Sequence, residues 1–187
     1  MSVRELAIRN RSYRRFDAAK PVSRETLLQL VDLSRYTASG ANRQVTRFIV
    51  SAEPDRNAEI YACLRWAGYY PDWDGPVEAE RPTGYIVLLS PEGVNAPMDE
   101  GIKAQTMLLG AVEQGLGGCM LANIDRAKLA QVLHVPQGYK ISLVVAIGVP
   151  VEPVVLDETD AAGDIRYYRV GEVQHVPKIR LSDLVLG

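Results

Sequence analysis

Arg9, Arg11, Arg14 and Arg15 fall within one short segment, IRNRSYRRF, and one helix length further on the chain carries SGANRQ. Guanidinium groups at this density point to an anion, because each can donate two parallel charge-assisted hydrogen bonds to a phosphate, and Ser12 and Asn42 add neutral donors for the same oxygens. Residues 1–47 hold ten Lys/Arg against four Asp/Glu, whereas the whole chain has a formal net charge of -2. The positive charge is therefore local. A site for a phosphorylated cofactor is the first reading, and a solvated basic face on an N-terminal helix is the alternative.

Composition narrows the classes. At 187 residues, 47% hydrophobic and 24% charged, the chain has the length and make-up of one globular domain, and a single domain over residues 1–187 is expected. Its balanced charge gives no general attraction to nucleic acid or to an anionic membrane. The N-terminal MSVRELAIRNR is too charged for a signal peptide, and apolar runs such as SLVVAIGV fall short of the ~20 residues that span a bilayer, so a cytoplasmic protein is expected. Cys63 and Cys119 are far apart without a CxxC, and His134 and His175 make no zinc spacing, which points to buried thiols and no metal.

The elements that must position the arginines can be read from periodicity and caps. Residues 2–9 suggest a short helix, and Ser23 caps a second one with Glu25 in its first turn. Thr37 to Asn42 forms a small-residue loop that lets backbone approach a ligand, followed by a strand around Phe48–Val50. A helix over about 55–66 leads into the aromatic, Pro-rich stretch 66–76, which reads as a loop or lid. Gly84–Leu89 reads as a buried strand. A long helix then follows, capped by Asp99, with Ile102, Gln105, Thr106, Leu108, Leu109, Ala111 and Val112 on its apolar side up to Gly115. In Gly115-Leu116-Gly117-Gly118 the glycines leave a helix and enter the apolar Cys119-Met120-Leu121, the reverse of a dinucleotide-binding fingerprint. A helix near 125–133, a core strand at Leu143–Ile147 and an extended polar tail through Pro177-Lys178-Ile179-Arg180 complete the chain.

Taken together, RNRSYRRF, SGANRQ, the long helix running into GLGGCML, and the basic KIR near the end resemble, in order and spacing, the flavin-dependent nitroreductases. The resemblance implies an α+β fold with a mixed central β-sheet flanked by helices. It also implies a homodimer with FMN at the subunit interface and a C-terminal extension exchanged across it. Carried to this sequence, Arg11, Ser12, Tyr13 and Arg14 should approach the FMN phosphate or ring. Ala38, Ser39, Gly40 and Asn42 should contribute from the other subunit, Leu121, Ala122 and Asn123 should lie near the reactive flavin nitrogen, and Lys178 and Arg180 should reach the phosphate. The chain departs from the family pattern at Asn10, where the first arginine of the signature would stand, at Val45-Thr46 after Gln44, and at Ala122-Asn123.

The activity so implied is hydride transfer from NADH or NADPH to FMN. Reduction of a nitroaromatic, quinone or related small acceptor then follows in a ping-pong sequence. Flavin carries such chemistry, so the protein needs no nucleophile or metal of its own, and no GxSxG elbow is present. A non-catalytic flavin-binding protein, for storage or sensing, is the alternative.

Overall fold

The computed structural model describes all 187 residues. Four strands form an antiparallel central sheet in the order β1-β2-β4-β3: β1 (Arg47–Ser51), β2 (Gly84–Pro91), β3 (Gly117–Leu121) and β4 (Tyr139–Gly148). Helices cover both faces. Side chains alternate across a strand, so Tyr85, Val87 and Leu89 of β2 join Val144 and Ala146 of β4 on one side, while Ile86 and Leu88 join Val145 and Ile147 on the other. The first side packs on α3 (Pro54–Tyr61) and α5 (Arg126–Leu133) through Ile60, Leu129 and Leu133. The second packs on α2 (Arg24–Ser34) and α4 (Pro97–Glu113) through Leu27, Leu30, Ala104 and Met107. With both faces buried, β2 and β4 have no polar side to display, and their sequences are near-continuous apolar runs.

The short α1 (Val3–Arg9) starts with a capping box between Ser2 and Glu5, and Ser23 accepts the Thr26 amide at the start of α2, as its spacing predicts. Three elements differ from expectation. Helix α3 ends at Tyr61 rather than near 66, because the chain turns there to bridge Leu64 to Ile124, and Arg65 donates its amide to the Asn123 carbonyl at 3.0 Å. Helix α4 starts at Pro97 without a side-chain cap; Asp99 is buried and its carboxylate accepts the Gly40 amide instead. The core face of α4 is Ala104, Met107, Leu108 and Ala111, while Ile102 and Gln105 are exposed.

The tail departs most. It is no loose extension: β5 (Val154–Thr159), β6 (Tyr168–Val170) and β7 (Val173–Ile179) form a second sheet in the order β5-β7-β6, followed by one helical turn, α6 (Leu181–Leu184). Parallel and antiparallel pairing are mixed in this small sheet, β5 running parallel and β6 antiparallel to β7. The central strands are all antiparallel, with one parallel bridge, Ser12 to Gly118, on the β3 edge. No helix is long and apolar enough to cross a membrane.

That edge has no room to spare. A Cβ at Gly118 would lie 2.4 Å from the Ala146 carbonyl oxygen, against backbone that cannot step aside. Gly118→Ala is expected to destabilise the fold by about 1–3 kcal/mol, the usual cost of overpacking. Thermal unfolding should show a Tm lowered by several degrees, and an unchanged Tm would mean that the β3 edge yields freely.

Candidate functional site

The segment after α1 reaches its position through backbone hydrogen bonds on two sides. Tyr13 donates to the Gly118 carbonyl at 3.1 Å, Asp17 to Val149 at 2.8 Å, and Val151 donates back to Arg15 at 3.1 Å. The Tyr13 ring lies against Gly117, where a Cβ would come within 2.5 Å of it, and its hydroxyl donates to the Arg9 carbonyl at 2.9 Å. Tyr13 is thus a strut under the segment.

Glu152 locks the arrangement. It is 4% exposed, and its carboxylate accepts the backbone amides of Arg14 and Arg15 and the Arg169 guanidinium, the last at 2.9 Å. A buried carboxylate is tolerated only with such a full set of donors. Arg15 is likewise committed to structure, with paired 2.7 Å bonds to Glu80 and a further bond to Glu172.

Three arginines of the cluster, Arg9, Arg11 and Arg14, have no acid, and the last two reach the same cleft. Arg14, 8% exposed, donates to the Ser12 carbonyl at 3.1 Å and lies 4.4 Å from the centre of the Tyr167 ring. Arg11 donates to the Ala7 carbonyl at 2.6 Å, yet its Nε is buried with no partner. Burial lowers the Arg11 pKa, with nearby Tyr13 acting the other way. No ion pair of the chain includes Arg11, Arg14 or Lys178. These three cations line one cleft of about 360 Å³. Asn10 and Ser12 belong to the same wall, Gln105 and Leu108 come from α4, Met120 from β3, and Tyr167 and Val176 from the tail. Cations held near one another without a counter-charge make a site that an anion completes.

The aromatic stretch 66–76 reaches this cleft through Tyr167. Its Tyr69 and Tyr70 rings stand 4.7 and 5.3 Å from the Tyr167 ring, and the Tyr69 amide donates to the Tyr167 hydroxyl at 3.2 Å. Tyr70 also donates to Gln174 at 2.8 Å, and Arg169 lies over Tyr70 and Trp73 at 5.5 and 5.4 Å. The loop is therefore bonded to the tail and backs Tyr167, which lines the cleft.

Of the residues singled out in sequence, Arg11, Ser12, Arg14 and Lys178 meet in the cleft, and Tyr13 supports it. The others lie elsewhere on the chain. Ala38, Ser39, Gly40 and Asn42 sit in a turn fastened to α4 through Asp99, with Asn42 in a left-handed conformation at φ 53°. Leu121 is buried in β3, the Ala122 carbonyl accepts from Arg126 at 3.1 Å and that of Asn123 from Arg65; it is the preceding residue, Met120, that faces the cleft. Arg180 misses the cleft because β7 ends at Ile179, so that its amide bonds to Thr159 at 3.0 Å and α6 begins. Sequence reading missed Glu152, Tyr167 and Arg169. The one cue for Glu152 was an isolated acid between valine and proline, and for the other two the cation–aromatic run RYYR.

The sequence profile of the Nitroreductase family matches residues 8–72 and 90–149, which include the arginine segment, α4 and β3. The chain belongs to the nitroreductase family. Among solved structures, a nitroreductase family protein from Clostridium novyi NT superposes with a TM-score of 0.68 at 22% identity, over 81% of this chain and 86% of that one. An FMN-dependent nitroreductase from Clostridium difficile R20291 gives 0.63 at 22% identity, over 79% and 87%. An FMN and NADPH-dependent nitroreductase, NfnB, from Sphigopyxis sp. strain HMH gives 0.64 at 18%, over 80% and 89%. At these identities the likeness speaks for the nitroreductase fold. No curated protein matches the sequence. The family match ends at residue 149, so the tail that carries Tyr167 and Lys178 lies outside it.

The ion pairs under the arginine segment make its seating acid-sensitive. Hydrogen bonds from Arg15 hold the Glu80 carboxyl below its ordinary value of 4.5. A carboxyl lowered in the folded state contributes stability that is complete above the unfolded value and is lost as pH falls through the folded one. Glu80→Gln should therefore flatten the loss of stability between about pH 5 and pH 3, as read by denaturant unfolding across that range. An unchanged slope would show that Glu80 contributes nothing there.

Proposed function

We propose that the cleft holds FMN and that the protein is an NAD(P)H-dependent FMN oxidoreductase acting on a nitroaromatic, quinone or related small acceptor. One observation carries the reading: Arg11, Arg14 and Lys178 converge without a carboxylate among them, and the buried Arg11 Nε has no hydrogen-bond partner. A phosphate supplies the missing charge and acceptors, and a half-buried guanidinium gains more from such a partner than a fully exposed one. The cleft volume of about 360 Å³ falls within the roughly 300–1,000 Å³ of small-ligand sites. The remaining walls suit a planar ring with a polar edge. Leu108, Met120 and Tyr167 offer apolar and aromatic surface, while Asn10 and Gln105 offer amides. Family membership and the FMN-dependent neighbours support the same choice.

When bound, FMN supplies a ring that accepts hydride from NAD(P)H and passes it to the acceptor in two successive half-reactions. The chain's own part is electrostatic and steric. Arg14 presents a guanidinium that no carboxylate pairs, since Glu152 accepts from backbone amides and from Arg169. That charge stabilises negative charge arising beside it. Tyr167 fixes the guanidinium from one side and the 66–76 loop backs Tyr167, so the geometry of the charge is set before any ligand enters.

We also propose a homodimer in which the partner's Ala38–Gly40 and Asn42 complete the site. Support comes from apolar side chains left in water on helices that pack against one another: Val3 and Ile8 on α1, Met98 and Ile102 on α4, and Leu28 and Leu33 on α2. Sedimentation at low micromolar concentration should give a dimer, and a monomer that still holds FMN would overturn this assembly.

The purified protein should be yellow or become so with FMN, and should oxidise NADH or NADPH steadily once an acceptor is added. Flavin binding without turnover would assign storage or sensing instead. Arg11→Ala removes a charged donor worth about 1.5–3 kcal/mol, so FMN titration should show affinity reduced roughly tenfold to a hundredfold. Equal affinity in the folded variant would exclude Arg11 from the cofactor site.

A further inference from the structure

We propose that the chain has a second binding site, separate from the cleft, that takes a small organic carboxylate in a cavity walled by proline, alanine and tyrosine, where the Arg81 guanidinium and the Tyr85 hydroxyl lack partners. This cavity shares no residue with the cleft, and its argument does not use the cofactor reading.

The cavity measures about 230 Å³ and opens where the turn before α2, the start of α3 and the approach to β2 meet. Each of these segments lines it with a proline, Pro21, Pro54 and Pro82, whose fixed φ stiffens the wall. Two polar side chains in the wall are already engaged by the fold. Asn57 accepts the Ser51 hydroxyl at 2.8 Å and donates to the Thr83 carbonyl at 2.8 Å, and the Tyr61 hydroxyl donates to the Pro76 carbonyl at 2.9 Å.

Arg81 and Tyr85 are not engaged in this way. Arg81 belongs to no ion pair, its Nε is buried without a hydrogen-bond partner, and its guanidinium lies over the Tyr61 ring at 4.1 Å. Such stacking covers one face of the guanidinium and leaves its in-plane N–H donors, whose fork matches the two oxygens of a carboxylate. The backbone prepares this placement. A 3₁₀ turn at Glu78–Glu80 ends at Arg81, and Pro82 holds the residue before it extended, with Arg81 at φ -72° and ψ 149°. Tyr85 is 0% exposed, and its hydroxyl has no partner either. Burial raises the Tyr85 pKa, Tyr61 acts in the same direction and Arg81 in the other, so the hydroxyl stays a donor on the side of those two residues. A buried donor without an acceptor carries a desolvation cost that an acceptor removes.

Unmet donors select an acceptor, and the unpaired cation selects one with negative charge. The remaining walls select an apolar body. A cavity of about 150 Å³ is enough for benzene, and sites for drug-sized ligands begin at roughly 300 Å³, so about 230 Å³ suits one ring or one branched chain bearing a carboxylate. A flavin or a dinucleotide is too large. Glu78 also borders the cavity, but it is exposed and water screens its charge.

Benzoate is the probe, titrated calorimetrically into the purified protein with and without added FMN. One benzoate should bind per chain in both conditions, and benzamide, of the same shape but uncharged, should bind at least about tenfold more weakly. Arg81→Met should weaken benzoate roughly tenfold or more, and Arg14→Ala should leave it as in the wild type. Tyr85→Phe separates recognition from folding. It removes a hydroxyl that the empty protein leaves unsatisfied, so its Tm should be no lower than that of the wild type while benzoate binds several-fold more weakly. No binding to the folded wild type, equal binding of benzamide, or unchanged affinity in either folded variant at Arg81 or Tyr85 would overturn the proposal. Binding abolished by Arg14→Ala would place benzoate in the cleft and overturn it as well.

Discussion

The candidate site depends on one buried carboxylate. Glu152 gathers two consecutive backbone amides and a guanidinium from the far end of the chain, and each donor offsets part of the cost of removing the acid from water. Because its oxygens are used in this way, they do not neutralise the Arg14 side chain. The same division runs through the whole cluster: Arg15 and Arg169 are balanced by Glu80, Glu172 and Glu152, while Arg11 and Arg14 are left without an acid. Net charge therefore concentrates at the cleft although the chain as a whole is slightly acidic. A basic segment becomes a site when its counter-charges are spent elsewhere.

Local features were legible in the sequence where local physics decides them. Ser23 announces α2 because a serine hydroxyl satisfies an amide that the first helical turn leaves free. The apolar runs in β2 and β4 are visible because both faces are buried, and the arginine segment is visible because charges cluster in it. The start of α4 and part of its face were not, although Leu108, Ala111 and Val112 are buried as expected. Proline takes the first helical position at Pro97, which frees Asp99 to reach across to Gly40, a contact between residues 59 apart. Glu152 and Tyr167 failed to stand out for the same reason, since their roles exist only through partners distant in sequence.

The tail shows how composition can mislead. Its charges and short apolar runs read as an extended polar tail, yet Arg169, Glu172 and Gln174 each find a partner in the body. Polar residues that bind polar residues elsewhere resemble solvated ones in a one-dimensional reading. The loop of residues 37–44 illustrates the converse. The small residues from Thr37 to Asn42 were read as letting backbone approach a ligand; Ala41, Asn42 and Gln44 adopt left-handed conformations, but this turn stands apart from the cleft of its own chain.

The junction of Arg14 with Glu152 spans 138 residues, and this separation bears on the order in which the molecule is made. On a ribosome the arginine segment emerges at once, but neither the β3 edge it must pair with nor the acid that seats it exists until most of the chain has been synthesised. Contacts of such range are entropically costly to close early, which favours seating of the arginine segment only after β4 and Glu152 are both available. In that interval the β3 edge is unpaired and open to strands from other nascent chains. Slow translation or a truncated tail would extend the period of exposure, and a chaperone that shields strand edges would be most useful over these final forty or so residues.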